Sequence, residues 1–235
     1  GAYIYNDVVD LEMDRLNPNK RDNPLPSGKV SLQEAMRAVY LSCAVGLAMS
    51  FLLNVKAFLF CAAYVVIYLA YSTPRIRFKR MFILKEATMA AGLFPLTLMG
   101  GATVGSISIP VIFLGLFLFA YTMFGAPLDE ALDVEEDEKY GCKTLAMALS
   151  WRKIISLMIF CTLVIMTLTP LTYRQMGLNM LFPIIVVGSC GISISLMLPL
   201  LTSREKGPEV VSKREMGALY LPWLMMQVAV VLGTL

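Results

Sequence analysis

Asn6, Asp10 and Asp14 recur at every fourth residue, and so do Asp129, Asp133 and Asp137. That spacing puts each trio on one face of a helix. Carboxylates placed this way repel one another, so each face costs stability unless a cation bridges it. The donors are hard oxygens, the kind Mg²⁺ prefers. That ion takes one or two carboxylates, keeps several waters and completes its shell from substrate phosphates. Two facing Asp-rich helices could therefore hold Mg²⁺ ions and clamp one diphosphate between them. Bound metal would neutralise the leaving diphosphate as its C–O bond breaks. A wall of apolar helices would keep water from the allylic cation left behind. A solvated acidic helix end explains one such patch; two with identical spacing define a site.

Other chemistries are excluded by composition. The chain has no histidine, which removes His-based general bases, Ser-His triads and His-ligated metals. Its five cysteines form no C-x-x-C pair, and four lie in apolar blocks, where Cys acts as a small hydrophobe.

The elements that must position the acids are membrane helices. Of 235 residues, 57% are hydrophobic and only 16% charged, with a mean hydropathy of +0.69. A helix crossing a hydrocarbon core of about 30 Å needs roughly 20 apolar residues. Seven blocks qualify: Ala35–Leu53, Val55–Tyr71, Ala87–Val104, Ile107–Pro127, Ile154–Leu171, Leu178–Leu201 and Met216–Leu235. The expected fold is thus an all-α, polytopic transmembrane bundle. Threading the seven spans alternately puts both acidic trios on one side. Of the 20 Lys and Arg, only Lys56 and Arg174 fall on the other, and none of the 17 Asp and Glu do. The positive-inside rule makes the charged face cytoplasmic. Before the first block, Ser31-Leu32-Gln33-Glu34 reads as a capping box that starts its helix at the membrane surface. The chain opens at Gly1 on a short apolar stretch that runs straight into Asn6, like the cut end of a helix.

With these residues in view, the chain resembles the UbiA superfamily of intramembrane prenyltransferases. The first signature is matched by Asn6-Asp7-x-x-Asp10-x-x-x-Asp14-Arg15 followed by Asn23-Pro24-Leu25-Pro26-Ser27-Gly28. Asp133-x-x-x-Asp137 followed by Gly141-x-Lys143-Thr144-Leu145 looks like the second, and Tyr71-Ser72-x-Pro74 with Lys79-Arg80 like the basic loop between them. The resemblance implies a nine-helix fold, of which residues 1–235 form a single domain lacking the first helix and most of the second. It makes Asn6, Asp10, Asp14, Asp129, Asp133 and Asp137 the metal and diphosphate ligands, with Mg²⁺ as cofactor. The family's usual Arg before this Pro-x-x-Ser-Gly is Asn23 here, so Arg21 or Lys20 takes its place. Glu136 stands where a Gly usually precedes the last Asp, and Arg75 where a Tyr precedes the loop lysine.

The cationic residues complete the reading. Lys79 and Arg80 are fixed positive charges suited to a diphosphate, and Lys143 sits near enough to Asp137 in sequence to reach the same anion. The same basic loop also suits anionic membrane lipid; nothing here points to nucleic acid. Phe117, Phe119, Tyr121 and Phe124, on the helix entering the second acidic trio, either line an isoprenoid tunnel or pack against lipid. The expected reaction is Mg²⁺-dependent transfer from a prenyl diphosphate to an aromatic or prenylglycerol-phosphate-type acceptor. Arg75 and Arg77 favour an anionic acceptor. Two alternatives stand: a terpene cyclase using the same metal–diphosphate site, and a non-catalytic transporter or scaffold. Transport sites lie near the bilayer midplane on broken helices, whereas these acids sit at helix ends.

Overall fold

A computed structural model describes residues 1–17, 20–130, 138, 141, 143–202 and 220–235. Within these residues the chain is helical, with no strand. Helix α1 (Ala2–Leu16) ends where Asn17 turns extended and its N–H returns to the Asp14 carbonyl. A loop follows in which Ser27 Oγ donates to the Asn23 carbonyl at 2.6 Å, and Gly28 takes φ 78°, a value favourable to glycine.

The capping box forms as its sequence requires. Ser31 Oγ accepts from the Glu34 N–H at 3.3 Å, and the Glu34 carboxylate accepts from the Ser31 N–H at 2.8 Å. It starts α2 (Leu32–Leu53) three residues ahead of the apolar block. Asn54 then serves two helices. It closes α2 and caps α3 (Val55–Ser72), accepting from the Ala57 N–H at 2.9 Å. Its amide also donates to the Ala102 carbonyl at 2.8 Å, tying this turn to the far end of α4 (Leu84–Thr103).

A short 3₁₀ helix (Phe78–Arg80) links α3 to α4. Then come α5 (Ile109–Glu130), a four-residue α6 (Leu145–Ala148), α7 (Trp151–Thr172), α8 (Leu181–Thr202) and α9 (Leu221–Gly233). Consecutive helices pack together from α1 to α5; α8 packs on α7 and α9, and α5 reaches both α7 and α9. The largest buried apolar cluster joins α5, α8 and α9 through Phe117, Tyr121, Phe182, Val186, Cys190 and Met226. On α2, by contrast, Tyr40, Leu41, Val45, Met49 and Leu52 are exposed, an apolar surface suited to lipid.

Among the described residues, five helices are long and apolar enough to cross a membrane: Leu32–Leu53, Val55–Ser72, Ile109–Pro127, Trp151–Thr172 and Leu181–Leu201. The expected count of seven needs two more. α4 has the length, 20 residues, but opens with Lys85 and Glu86 and packs between α3 and α5. α9 has 13 described residues, and Met216–Leu219 of the expected block lie outside the described part.

Candidate functional site

α1 brings Asn6, Asp10 and Asp14 to one face, and that face meets the end of α3 and the basic loop. Asn6 Oδ1 accepts from Ser72 Oγ at 2.9 Å and from Lys79 Nζ at 3.0 Å. Asp10 binds two cations: its Oδ2 pairs with Lys79 and its Oδ1 with the Arg77 guanidinium at 3.0 Å. Asp14 faces Lys20 at 3.6 Å. Tyr5 and Thr73 share a hydroxyl hydrogen bond of 3.1 Å just beside this contact.

The loop reaches Asp10 through a strained backbone. Thr73 accepts from the N–H groups of Ile76 and Arg77, which closes a turn at the end of α3. Arg77 then adopts φ 44°, a left-handed conformation costing on the order of 1–3 kcal/mol for a residue with a side chain. The reversal begins the 3₁₀ turn that buries Lys79 against α1. The Arg77 and Arg80 guanidiniums both touch Met13 Sδ, at 3.9 and 3.8 Å, while the Nε of each is buried without a hydrogen-bond partner. Buried unpaired guanidinium donors are costly and suit an anion brought to this corner.

Asp10 and Asp14 are buried, at 9% and 8% exposure. Burial holds the Asp14 carboxyl above the ordinary carboxylate range; Lys20 pulls it back down, and Asp10 and Asp7 push it further up. Both acids lie outside the five candidate spans.

The oxygens present suit Mg²⁺. Asn6 Oδ1 and the Asp10 and Asp14 carboxylates are hard donors, and the Asp10 carboxylate already faces two positive charges. Among the described residues no three acidic, Cys or His side chains cluster closely enough to hold a metal alone.

The other expected residues fare differently. Asp129 lies in the last turn of α5, while Asp133 and Asp137 lie outside the described residues. Arg80 stays in the corner beside Met13. Arg21 is exposed and in no ion pair with a described residue; its neighbour Lys20 makes the contact to Asp14. Lys143 is exposed, just before the buried Thr144.

Two groups at this end escaped the sequence reading. Arg77, read with Arg75 as favouring an anionic acceptor, pairs with Asp10, and its backbone takes the left-handed φ that begins the 3₁₀ turn. Glu86 is fully buried at the start of α4, where its Oε1 accepts the Leu145 N–H at 2.7 Å. It ties α4 to the segment that follows the second acidic trio. An acid at the mouth of an apolar helix was its available signal.

Below Asn6 and Ser72 opens a cavity of about 540 Å³, walled by Tyr71, Leu93, Tyr121 and Trp223 among others. Tyr121, one of the aromatics expected either to line a tunnel or to pack against lipid, lines this space; Phe117 stacks on it at 5.7 Å between ring centres. The volume is in the range of about 300–1,000 Å³ usual for small-molecule sites.

Fold and site together define a multi-pass helical membrane protein with an acid–base cluster at the polar mouth of an apolar chamber. The chain belongs to the UbiA prenyltransferase family, whose model matches residues 1–217. It is 32% identical over 151 residues to a digeranylgeranylglyceryl phosphate synthase of Sulfolobus acidocaldarius, covering 63% of this chain and 52% of that one. The enzyme of that name from Sulfurisphaera tokodaii is 28% identical over 211 residues, covering 87% of this chain and 71% of that one. The chain thus spans from about half to about seven-tenths of the length of these two relatives. In fold it is similar to a UbiA homologue from Archaeoglobus fulgidus bound to GPP and Mg²⁺, at a TM-score of 0.70 and 17% identity, covering 100% of this chain and 83% of that one.

Proposed function

We propose that this protein transfers a prenyl group from a prenyl diphosphate to a lipid-like acceptor bearing its own phosphate, a prenylglycerol phosphate. The observation that carries the reading is the Asn6–Asp10 face meeting Lys79 and Arg77 at the mouth of the apolar chamber. The names of the archaeal relatives favour the glycerol-phosphate acceptor over an aromatic ring.

The donor's chain lies in the chamber and its diphosphate at the mouth. Mg²⁺, when bound, supplies positive charge to the leaving diphosphate. Asn6, Asp10 and Asp14 would hold it from α1, and Asp129, Asp133 and Asp137 are the second trio proposed to share it. Lys79 and Arg77 turn from Asp10 to the phosphate oxygens, and Arg80, with its buried Nε, adds a third cation. As the C1–O bond breaks, the electron pair leaves with the diphosphate. The chamber walls exclude water from the allylic cation, and aromatic faces such as Tyr71 and Tyr121 shield it. The acceptor's hydroxyl oxygen attacks C1, forming the new C–O bond, and its proton passes to a carboxylate or phosphate at the mouth. Lys143 and Arg21 stand outside this cluster and serve the approach of the anionic substrates.

Residues 1–235 act as one membrane domain with seven spans and a site facing the cytoplasm. The test is product analysis by mass spectrometry, with membranes given labelled prenyl diphosphates with and without geranylgeranylglyceryl phosphate or aromatic acids. Label in a prenylated glycerol phosphate is the expected result. Label appearing only as a cyclic hydrocarbon, whatever the acceptor, would assign the chain to terpene cyclisation instead.

A further inference from the structure

Tyr68 lies one turn of α3 below Ser72, and its ring forms part of the chamber wall. Behind the ring, on α4, is Gly92, buried and not itself lining the chamber. A Cβ at position 92 would lie 2.3 Å from Tyr68 Cε2, 3.1 Å from Cδ2 and 3.2 Å from Cζ. The missing side chain of Gly92 is thus the seat of the ring. Tyr64 blocks movement down the same helix, with ring centres 4.6 Å apart. Tyr3 and Tyr71, which also line the chamber, each stand 6.4 Å from it between ring centres. Crowded by α4 behind it and by Tyr64 below, a displaced ring moves toward the chamber it lines.

Resting on the prenyltransferase reading above, we propose that Tyr68, seated on Gly92, sets how long a prenyl chain the chamber accepts. The first isoprene unit lies beside Asn6 and Ser72, above the ring, so a short donor meets it with its last unit at most. The distal units of a longer donor must pack against it. Tyr68 and Gly92 are specificity-determining residues and take no part in the chemistry at C1.

The experiment compares kcat/KM for geranyl, farnesyl and geranylgeranyl diphosphate in wild type, Gly92→Ala, Tyr68→Ala and the double variant. Gly92→Ala pushes the ring into the chamber and is expected to lower the ratio of longest to shortest donor by about tenfold, the scale of two methylene groups left unburied. Tyr68→Ala is expected to raise that ratio, and it tests the same ring without crowding the helix contact. The double variant is expected to regain the long donor, since the added methyl then meets no ring. Equal loss on all three donors in Gly92→Ala, unrelieved by removing the ring, would overturn the proposal and leave Gly92 a packing residue. An unchanged ratio in Tyr68→Ala would overturn it as well. A wild type that transfers from none of the donors overturns the prenyltransferase reading, and this inference with it.

Discussion

The guanidinium of Arg77 meets the carboxylate of Asp10 at 3.0 Å across 67 positions of sequence. Lys79, two residues on, joins the same carboxylate and the Asn6 amide oxygen. Two cations with a common target on α1 support the proposal that this face is a directed site rather than a diffuse acidic surface.

A directed site predicts position-specific losses. Asp10→Ala or Lys79→Met is expected to cost about a hundredfold in turnover, the scale for losing one major electrostatic element. Glu12→Ala, on an exposed flank of α1, is expected to change turnover by no more than about twofold. EDTA should abolish activity and Mg²⁺ restore it. Equal losses at Glu12 and Asp10 would reduce the site to general helix-end charge.

Asp14 couples activity to stability with opposite signs. Its folded carboxyl is held above the ordinary range chiefly by burial, so the ionised form weighs against the folded state. That penalty is present above the folded pKa and fades as the pH falls through it. Asp14→Asn is therefore expected to raise the melting temperature of the metal-free protein at neutral pH while lowering turnover. Melting curves of both proteins across an acid titration check the sign, because the advantage of Asn should shrink toward low pH.

Glu86 anchors the chain beyond the second acidic trio through the Leu145 N–H. Glu86→Leu leaves that donor without its acceptor, a loss of about 1–3 kcal/mol. It is expected to lower both melting temperature and turnover, since Lys143 and Thr144 lose their tie to α4. Gln retains the acceptor oxygen, so Glu86→Gln should recover most of both. Failure of Gln to rescue would assign the role to the charge itself.

The proposed topology is open to thiol labelling. In a cysteine-free background, Cys at the exposed Ser27 should react with an impermeant reagent only from the cytoplasmic side, and Cys at the exposed Ser106 only from the other. Ser72 is unsuited to this, being 1% exposed. Labelling of both positions from one side would break the span count.

The sequence by itself determined a helical membrane chain and which polar side chains share one face of α1. Apolar runs of bilayer length admit little but helices, because unpaired backbone groups are too costly in lipid. A repeat of four fixes which side chains share a helical face, so Asn6, Asp10 and Asp14 were legible from spacing alone. The Ser31–Glu34 cap was legible for the same reason, since its partners lie within one turn. Contacts across the fold were not. The reversal at Arg77 depends on how the loop docks against α1, so nothing local distinguished this arginine from Arg75 or Arg80. The choice of Lys20 over Arg21 at Asp14, the burial of Glu86 against Leu145 and the seating of Tyr68 on Gly92 belong to the same class. Each joins groups distant in sequence or separated by a turn, where helical periodicity carries no information and only the packing of helices decides which side chains meet.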